Sequence, residues 1–559
     1  MNTSDSVNGS LFQADSRAAL IGMLILVAAY ILPGLTGHDP WKQDEAYSFG
    51  IIYNMVLTGD LIVPTLAADP FMEKPPAYYI TATGMVHLFD GLLPMHDAAR
   101  LTTGLFLALT FLFTGLMARA AWGNGFGAVG VLVLMSTMGL MQHGHFMITD
   151  TALTAGMSMA CFGLLQSRTR AGWGGVWLGS GAGLSFMSKG LLGPGIIGIS
   201  SLLLPVLSAQ WRTGTYFKAL AVAFAAALPW IVVWPTALYL RDHDLFMRWF
   251  WDNNLGRFLG GVELGPPAQE GFWLRTFPWV TFPAFPLALW TLWILRGRAF
   301  TNPGVIMAVI VSAIGWTVLF ISHTARDLYA MPLLPVLALL GAGALSQLPR
   351  CMNYLGYWSG ILLFGLIAIF LWILWIYGIL AGEPPQWRFL DRQLPLDFEP
   401  DLRWRGVLAA LALQAGWAWL LWKARPPRVI ALIAWPTGMI LGWALVTTLH
   451  LTWLDQAKSY RGVFTELREQ LPENPGCVAD LKSRRLRESE RGLLHYMAGI
   501  TTEHIETPAA TLCDWIIAEL RLPGHDPGLD LGQGWRRVWQ GHRPGDRRDL
   551  FILFRRTES

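Results

Sequence analysis

Long apolar stretches recur along most of the chain and dominate its pattern. Runs of about 18 residues or more are long enough to cross a bilayer as helices. The pattern predicts thirteen such helices, at roughly 18–36, 99–120, 125–142, 150–167, 172–190, 192–208, 216–236, 271–295, 303–321, 328–346, 354–381, 405–423 and 428–450. A shorter, aromatic-rich run at 77–93 follows two prolines and contains His87 and Asp90. Because proline suits a first helical turn, this run predicts a helix lying along the membrane interface.

The charges between these runs predict an orientation. If the N-terminus is cytoplasmic, the charged residues of the short inside loops are all basic: Arg119, Arg168, Arg170, Arg212, Lys218, Arg296, Arg298, Arg350, Lys423, Arg425 and Arg428. The opposite loops hold the acidic ones: Asp44, Glu45, Asp60, Asp69, Glu73, Asp150, Asp242, Asp244, Asp252, Glu263, Asp327 and Glu383. This separation agrees with the positive-inside rule, and counting 77–93 as a further span would destroy it.

The last 110 or so residues have a different character, with more charges and with short strand-like runs such as CVADL and DLFILF. We therefore expect two domains, a transmembrane domain at 1–450 with a first outer loop at 37–98, and a soluble α/β domain at 451–559. An odd number of spans places this second domain outside, in the periplasm. Cys477 and Cys513 both lie in it, and an oxidising compartment would allow them to pair, although spacing alone leaves this open.

The composition supports a membrane protein and excludes some other classes. The chain is 53% hydrophobic and only 14% charged, whereas a soluble protein carries about 25% charged residues. A net charge of +3 gives no reason to expect nucleic acid as a partner. Four cysteines in 559 residues provide no disulfide framework. Residues 1–17 are polar, so we expect the first apolar run to remain as a span and not to be cleaved as a signal peptide.

Unusual polar residues collect on the predicted outer face. They come from five separate stretches and comprise Asp44, Glu45, Glu73, Lys74, Arg100, His143, His145, Asp150, Lys189, Asp252, Asn253, Asn254, Arg257, His323, Arg326, Asp327 and Tyr329. Charged groups beside hydrocarbon are costly and suggest a functional site. Cations and carboxylates meeting at a lipid interface suit a polar anionic ligand, and phosphate is the natural candidate for Arg and Lys side chains.

Each residue also has a structural interpretation. Asp44 and Glu45 begin a predicted helix that ends near Gly59, where acidic residues favour the helix dipole. In the structural interpretation, Glu73 and Lys74 form an exposed ion pair that contributes almost nothing to stability. Lys189 lies at the end of a predicted span, where a lysine can extend its charged end to the membrane surface. The histidines show no metal-ligand spacing. If these residues had unrelated structural roles, however, we would not expect all of them on the same side of the membrane.

The stretch WKQDEAYSFGIIYNMVLTGDLIVPTLAADPFMEKPPAYYI, followed by DAARL, resembles the first periplasmic loop of the ArnT family, the 4-amino-4-deoxy-L-arabinose transferases of lipid A. Further matching pieces are M-S-K-G at 187–190 and Arg257-Phe258. The family belongs to the GT-C superfamily, which includes protein O-mannosyltransferases. The resemblance covers essentially the whole chain. Two departures are the segment SHTARDLYAMP, where Arg326 and Tyr329 replace a lysine-rich K-x-x-x-Y form, and Asn254, where relatives can carry His.

The resemblance implies a polytopic GT-C membrane enzyme that moves aminoarabinose from undecaprenyl phosphate to a lipid A phosphate in the bacterial inner membrane. It implies catalytic roles for Asp44 and Glu45, and substrate-binding roles for the residues Glu73, Lys74, Arg100, Asp150, Lys189, Arg257, Arg326 and Tyr329. No Gly-rich nucleotide loop is present, in agreement with a lipid-phosphate donor. We expect no cofactor, although some members of the superfamily use a divalent cation.

Several mechanistic alternatives stay open at this point. We expect an inverting single displacement, in which the cations offset charge on the leaving phosphate. A lipid A phosphate is already ionised at neutral pH, so Asp44 either acts as a base, orients the acceptor or stabilises positive charge on the sugar. Glu45 or Glu73 would bind the sugar ammonium or fix Lys74. The alternative functions are a GT-C transferase with a hydroxyl acceptor and a lipid-phosphate transporter.

Overall fold

The computed structural model describes residues 17–256, 269–344, 347–391, 394–395, 397–423, 430–481, 486–508, 512–521, 531–532, 534–545 and 549–557. The helices are α1 Arg17–Ile31, α2 Asp44–Thr58, α3 Ala77–Leu88, α4 Met95–Trp122, α5 Phe126–Met135, α6 Met138–His143, α7 Thr149–Gln166, α8 Ala171–Lys189, α9 Leu192–Leu207, α10 Gly214–Arg241, α11 His243–Met247, α12 Phe272–Val280, α13 Ala284–Leu295, α14 Pro303–Ile321, α15 Leu334–Ala344, α16 Arg350–Ala381, α17 Arg388–Asp391, α18 Trp404–Lys423, α19 Ile430–Leu449, α20 Leu451–Lys458, α21 Arg461–Glu469 and α22 Glu488–Ala498. A π-helical segment, Arg248–Gly256, and three 3₁₀ segments, Ala209–Trp211, Arg296–Thr301 and Asp327–Leu333, complete the helical part.

Every predicted span coincides with a helix or with a pair of consecutive helical segments. Within the described residues, six helices are long and apolar enough to cross a membrane, and a seventh span results if α12 and the segment Ala284–Thr301, bent by 83°, count as one. Several remaining predicted spans are shorter apolar helices, such as α1, α5 and α9. The protein is therefore a multi-pass membrane protein, while the number thirteen stays a prediction.

Small residues bring the central helices α7, α8 and α10 into close contact. A Cβ atom placed on Gly163 would lie 2.1 Å from the backbone nitrogen of Leu178, and one on Gly179 would lie 2.0 Å from the carbonyl oxygen of Ala223. Only glycine permits such approach, as is usual between membrane helices. Because α7 and α8 are consecutive and antiparallel, the first turn of α7, with Asp150, lies beside the last turn of α8, with Lys189.

The segment between α1 and α4 folds as a compact layer on one end of the bundle, which we call the site face. Helix α2 ends at Gly59, whose φ of 70° is left-handed and closes the helix. The short antiparallel pair β1 Thr65–Leu66 and β2 Asp69–Pro70 follows. Helix α3 then begins after Pro75 and Pro76 and buries Tyr78 and Tyr79. The helix predicted at 77–93 is thus present, and its lie along the interface stays a prediction.

A five-stranded sheet forms the core of the C-terminal domain. Its strands are β3 Val478–Leu481, β4 Glu503–Ile505, β5 Trp515–Arg521, β6 Trp535–His542 and β7 Asp549–Arg556, in the order β4-β3-β5-β7-β6. Strand β3 is parallel to β4 and β5, whereas β7 is antiparallel to β5 and β6. A disulfide joins Cys477 and Cys513. The expected α/β domain is present, and the proposed boundary at 450/451 falls between α19 and α20.

Candidate active site

The first turn of α2 contributes Asp44 and Tyr47 to the site. Asp44 and Tyr47 are three residues apart, so they share one face of the helix. The Tyr47 hydroxyl donates a hydrogen bond of 2.9 Å to Oδ1 of Asp44. The Tyr47 side chain is buried, which fixes its hydroxyl beside the carboxylate. Asp44 also occupies the position that favours the helix dipole, so its structural and functional interpretations are compatible.

Lys74 reaches the same point from the segment before α3. Its ammonium donates a hydrogen bond of 2.6 Å to the Tyr47 hydroxyl. Lys74 is only 8% exposed, so it is not the surface lysine of the alternative interpretation. Burial disfavours its charged form, but Tyr47 and the neighbouring Glu73 carboxylate more than offset burial and raise the pKa of Lys74 well above its usual value. Lys74 is therefore positively charged at neutral pH, beside Asp44.

Arg326 closes the other side of Asp44. Its Nη1 donates to Oδ1 at 2.9 Å, and its Nη2 donates to Oδ2, so the pair is bidentate. Burial opposes ionisation of Asp44, but Arg326 and the charge on Lys74 outweigh burial and lower its pKa to about 2. Asp44 is consequently a carboxylate at neutral pH and a weak proton acceptor.

Lys189 and Asp150 form a second ion pair on the site face. The Lys189 ammonium also lies 3.9 Å from the centroid of the Tyr329 ring, a cation–π geometry. Tyr329 is three positions after Arg326 in the chain, and Asp150 acts electrostatically on Lys74. The two ion pairs are thus parts of one cluster, in which the charges of Asp44, Glu73 and Asp150 balance those of Lys74, Lys189 and Arg326.

Glu45 and Arg100 form a buried ion pair with each other. Glu45 is 3% exposed and Arg100 is fully buried. Arg100 donates to Oε1 of Glu45 at 2.7 Å, to Asp97, and to the carbonyl oxygens of Leu35, His38 and Asp39. The other oxygen of Glu45 accepts from the backbone N–H of Trp41 at 3.0 Å. All five guanidinium donors and both carboxylate oxygens thus have partners that fix the loop before α2. The catalytic role of Glu45 and the substrate-binding role of Arg100 stay predictions.

Other candidates from the outer face have separate positions. Arg257 lies outside the described residues. His143 pairs with Asp327 at 3.1 Å, next to the site, whereas His145 is buried between the rings of Tyr30 and Trp443. Asn254 contacts Gly190, at the end of the M-S-K-G motif.

This contact gives a prediction for Gly190→Ala. Gly190 has a φ of 69°, and a Cβ atom there would lie 1.7 Å from the side-chain oxygen of Asn254. We expect transfer activity to fall about tenfold or more, because both the strained backbone and the clash displace the end of α8 that carries Lys189. Gly198→Ala, whose new methyl group meets nothing within 4 Å, is the matched control. Equal activity of both variants in a transfer assay would contradict the prediction.

Sequence reasoning missed Tyr47, which connects Lys74 to Asp44. The signal available in the sequence was its spacing of three residues from Asp44 on a predicted helix. Groups spaced to hold a metal ion, among the residues that the structure describes, are Cys477, Glu503 and Cys513, and Glu490, Glu519 and Asp549. Both groups lie in the C-terminal domain, and the two cysteines of the first are joined to each other.

Comparison with solved structures identifies the fold. The crystal structure of ArnT from Cupriavidus metallidurans bound to undecaprenyl phosphate superposes with a TM-score of 0.67 over 96% of this chain and 97% of that chain, at 17% sequence identity. The same protein in the apo state gives a TM-score of 0.68. The chain has the ArnT fold. The fold class expected from the sequence, a polytopic helical protein with a C-terminal α/β domain, is confirmed, and its membership of the GT-C superfamily stays a prediction.

Sequence comparison agrees with the ArnT fold. A protein of Pseudomonas aeruginosa (strain LESB58) named undecaprenyl phosphate-alpha-4-amino-4-deoxy-L-arabinose arabinosyl transferase is 27% identical over 541 residues, which are 88% of this chain and 89% of that protein. A protein of Pseudomonas fluorescens (strain Pf0-1) that has the same name with the number 1 added is 28% identical over 372 residues, which are 60% of this chain and 59% of that protein. No family model matches the chain. The resemblance to ArnT is confirmed.

Proposed function

We propose that the protein is a glycosyltransferase that moves 4-amino-4-deoxy-L-arabinose from undecaprenyl phosphate to a phosphate of lipid A. The observation that carries this proposal is the cluster around Asp44, in which three cations from distant parts of the chain meet at one end of a membrane helix bundle with the ArnT fold. The names of the related proteins support the donor, and the lipid acceptor follows from the same family. The activity contributes to lipopolysaccharide modification and thereby to resistance against cationic peptides such as polymyxin.

The cations would receive the donor phosphate. In the structure, Arg326 and Lys189 are each held by a carboxylate, Asp44 and Asp150. These pairs hold the cations in place and leave the cluster electrically neutral, so an incoming phosphate competes with the carboxylates for them. Lys74 donates its hydrogen bond to the Tyr47 hydroxyl and would bind the phosphate most directly. Arg257, from the sequence resemblance, remains a further phosphate ligand in this proposal.

Asp44 would act as a charge-stabilising or orienting group and not as a base. Its pKa of about 2 makes it a poor proton acceptor, and an ionised acceptor phosphate needs no base. When the phosphate binds Arg326, the released carboxylate would face the sugar, where positive charge develops as the glycosidic bond breaks. Glu73 would assist by holding Lys74 and binding the ammonium group of the sugar.

The location of the site follows from the topology. The charge separation between loops predicts that the site face and the C-terminal domain lie in the periplasm of the bacterial inner membrane. The domain boundaries, 1–450 and 451–559, are part of this proposal. Both proposed substrates are lipids, which explains an active site placed at the membrane surface.

Mass spectrometry of lipid A from cells with and without the protein tests the function. We expect one additional aminopentose for each modified phosphate only when the active protein is present. Purified protein with labelled donor provides the second measurement. Sugar on Ser or Thr of a protein would support the hydroxyl-acceptor alternative, and movement of labelled lipid across liposomes without sugar transfer would support the transporter; either result would overturn the proposal.

A further inference from the structure

A pocket of three carboxylates in the C-terminal domain holds a lysine that comes from the site segment. The carboxylates are Glu490 on α22, Glu519 on β5 and Asp549 on β7, each at most 6% exposed, with oxygen atoms within 4.8 Å of one another. Lys42 enters this pocket, and its ammonium lies 2.5 Å from Glu490 and 2.7 Å from Asp549. The pocket is therefore a cation site in which the cation is the Lys42 ammonium.

The Lys42 ammonium compensates the negative charge of the buried carboxylates in this pocket. Burial and the neighbouring Glu490 raise the pKa of Glu519 to about 7. Within the part of the chain that the structure describes, the oxygens of Glu519 accept no hydrogen bond, and Arg487 lies 3.8 Å away. Lys42 pairs directly with Glu490 and Asp549 and supplies the positive charge in the pocket. Removing one partner of such a buried group leaves an uncompensated charge.

Further contacts join the same two regions. The Ser489 hydroxyl donates to the carbonyl oxygen of Gln43, the residue before Asp44, at 2.8 Å. Helices α2 and α22 touch through glycines, since a Cβ atom on Gly50 would lie 2.9 Å from the Cα atom of Gly492. Arg491 pairs with Asp69 at 2.6 Å, just before Glu73 and Lys74. The C-terminal domain therefore contacts both segments that carry the Asp44–Lys74 network.

We propose that Lys42, Glu490 and Asp549 are positioning residues, and that the C-terminal domain grips the Lys42 ammonium and thereby fixes the start of α2, with Asp44, for transfer. This inference rests on the proposed function of the Asp44 cluster. It gives the C-terminal domain a role in the reaction, although none of the three residues touches the cluster that would bind substrate.

The test combines kinetics with amide hydrogen exchange on the full-length protein. For Lys42→Met we expect kcat to fall about tenfold or more with the donor KM within about threefold, because the start of α2 is misplaced while the phosphate ligands remain. Exchange should accelerate in residues 41–50 and stay unchanged in the transmembrane helices. The double variant with Glu490→Gln should lose no more activity than Lys42→Met alone, since the residues act as one unit.

The controls separate the possible failures. Arg241→Met removes an exposed ion pair with Asp60 on the same face, and we expect no change in kcat or exchange. Unchanged exchange in residues 41–50, or additive effects in the double variant, would overturn the inference. Exchange does not depend on the reaction, so it decides the inference even if no sugar transfer is found. If Lys42→Met does not fold, Glu490→Gln alone decides, and unchanged exchange at 41–50 in that variant also overturns it.

Discussion

Asp44→Asn is expected to reduce the turnover of sugar transfer about a hundredfold or more. The amide has nearly the same shape and can still accept from Tyr47, but it loses the negative charge that we place beside the reacting sugar. Donor binding should not weaken, because Arg326 no longer has a carboxylate partner and is free for the phosphate. The expected signature is a large decrease in kcat with an unchanged or lower KM for the lipid donor.

Asp60→Asn is the matched control for this experiment. Asp60 lies on the same face, pairs with exposed Arg241 at 3.4 Å and has no contact with the cluster. We expect wild-type turnover from this variant. Steady-state kinetics with purified protein and labelled donor measures both, and equal turnover of Asp44→Asn and Asp60→Asn would refute the role of Asp44.

Lys74→Met is expected to have an effect of similar size, with the opposite kinetic signature. Methionine fills the space of the lysine stem but removes the charge that would meet the leaving phosphate in both ground and transition states. We therefore expect kcat to fall about a hundredfold, as for other groups that stabilise developing charge, and the donor KM to rise. Binding of undecaprenyl phosphate to the purified variant should weaken as well.

Lys218→Met provides the comparison, since Lys218 is exposed near the start of α10, at the opposite end of that helix from Arg241. Size-exclusion chromatography must show equal folding of the two variants. Full activity of Lys74→Met would show that the leaving phosphate is held elsewhere, and the assignment of the phosphate site would fail.

The apolar pattern predicted the helical part of the fold because length and hydropathy act locally. Each run of about 18 residues or more has few ways to satisfy its backbone in a membrane except as a helix. The breaks within runs were less predictable. The run at 271–295 is two helices, α12 and α13, with a break near the prolines at 278 and 283, and the bend of 83° depends on their packing.

The candidate site was predicted in part. Charge in unexpected places identified Asp44, Lys74, Asp150, Lys189 and Arg326, which the structure brings into one cluster. The same argument also selected Glu45 and Arg100, which the structure places in a buried ion pair. Sequence alone does not show this difference in surroundings: the Arg100 donors all have partners, whereas among the described residues Lys74 donates to the Tyr47 hydroxyl.

The sequence by itself determined that this protein spans a membrane many times, that a small α/β domain follows, and that unusual acidic and basic side chains collect on one face. These properties follow from composition, from the length of the apolar runs and from the sign of the loop charges. Each of these features can be read from a segment of the chain without knowledge of its tertiary contacts. The tertiary structure alone decided which carboxylate holds which cation, and that a pocket formed by α22, β5 and β7 holds Lys42. Such pairings depend on distances between residues hundreds of positions apart, and an ion pair gains or loses its strength over a few ångströms.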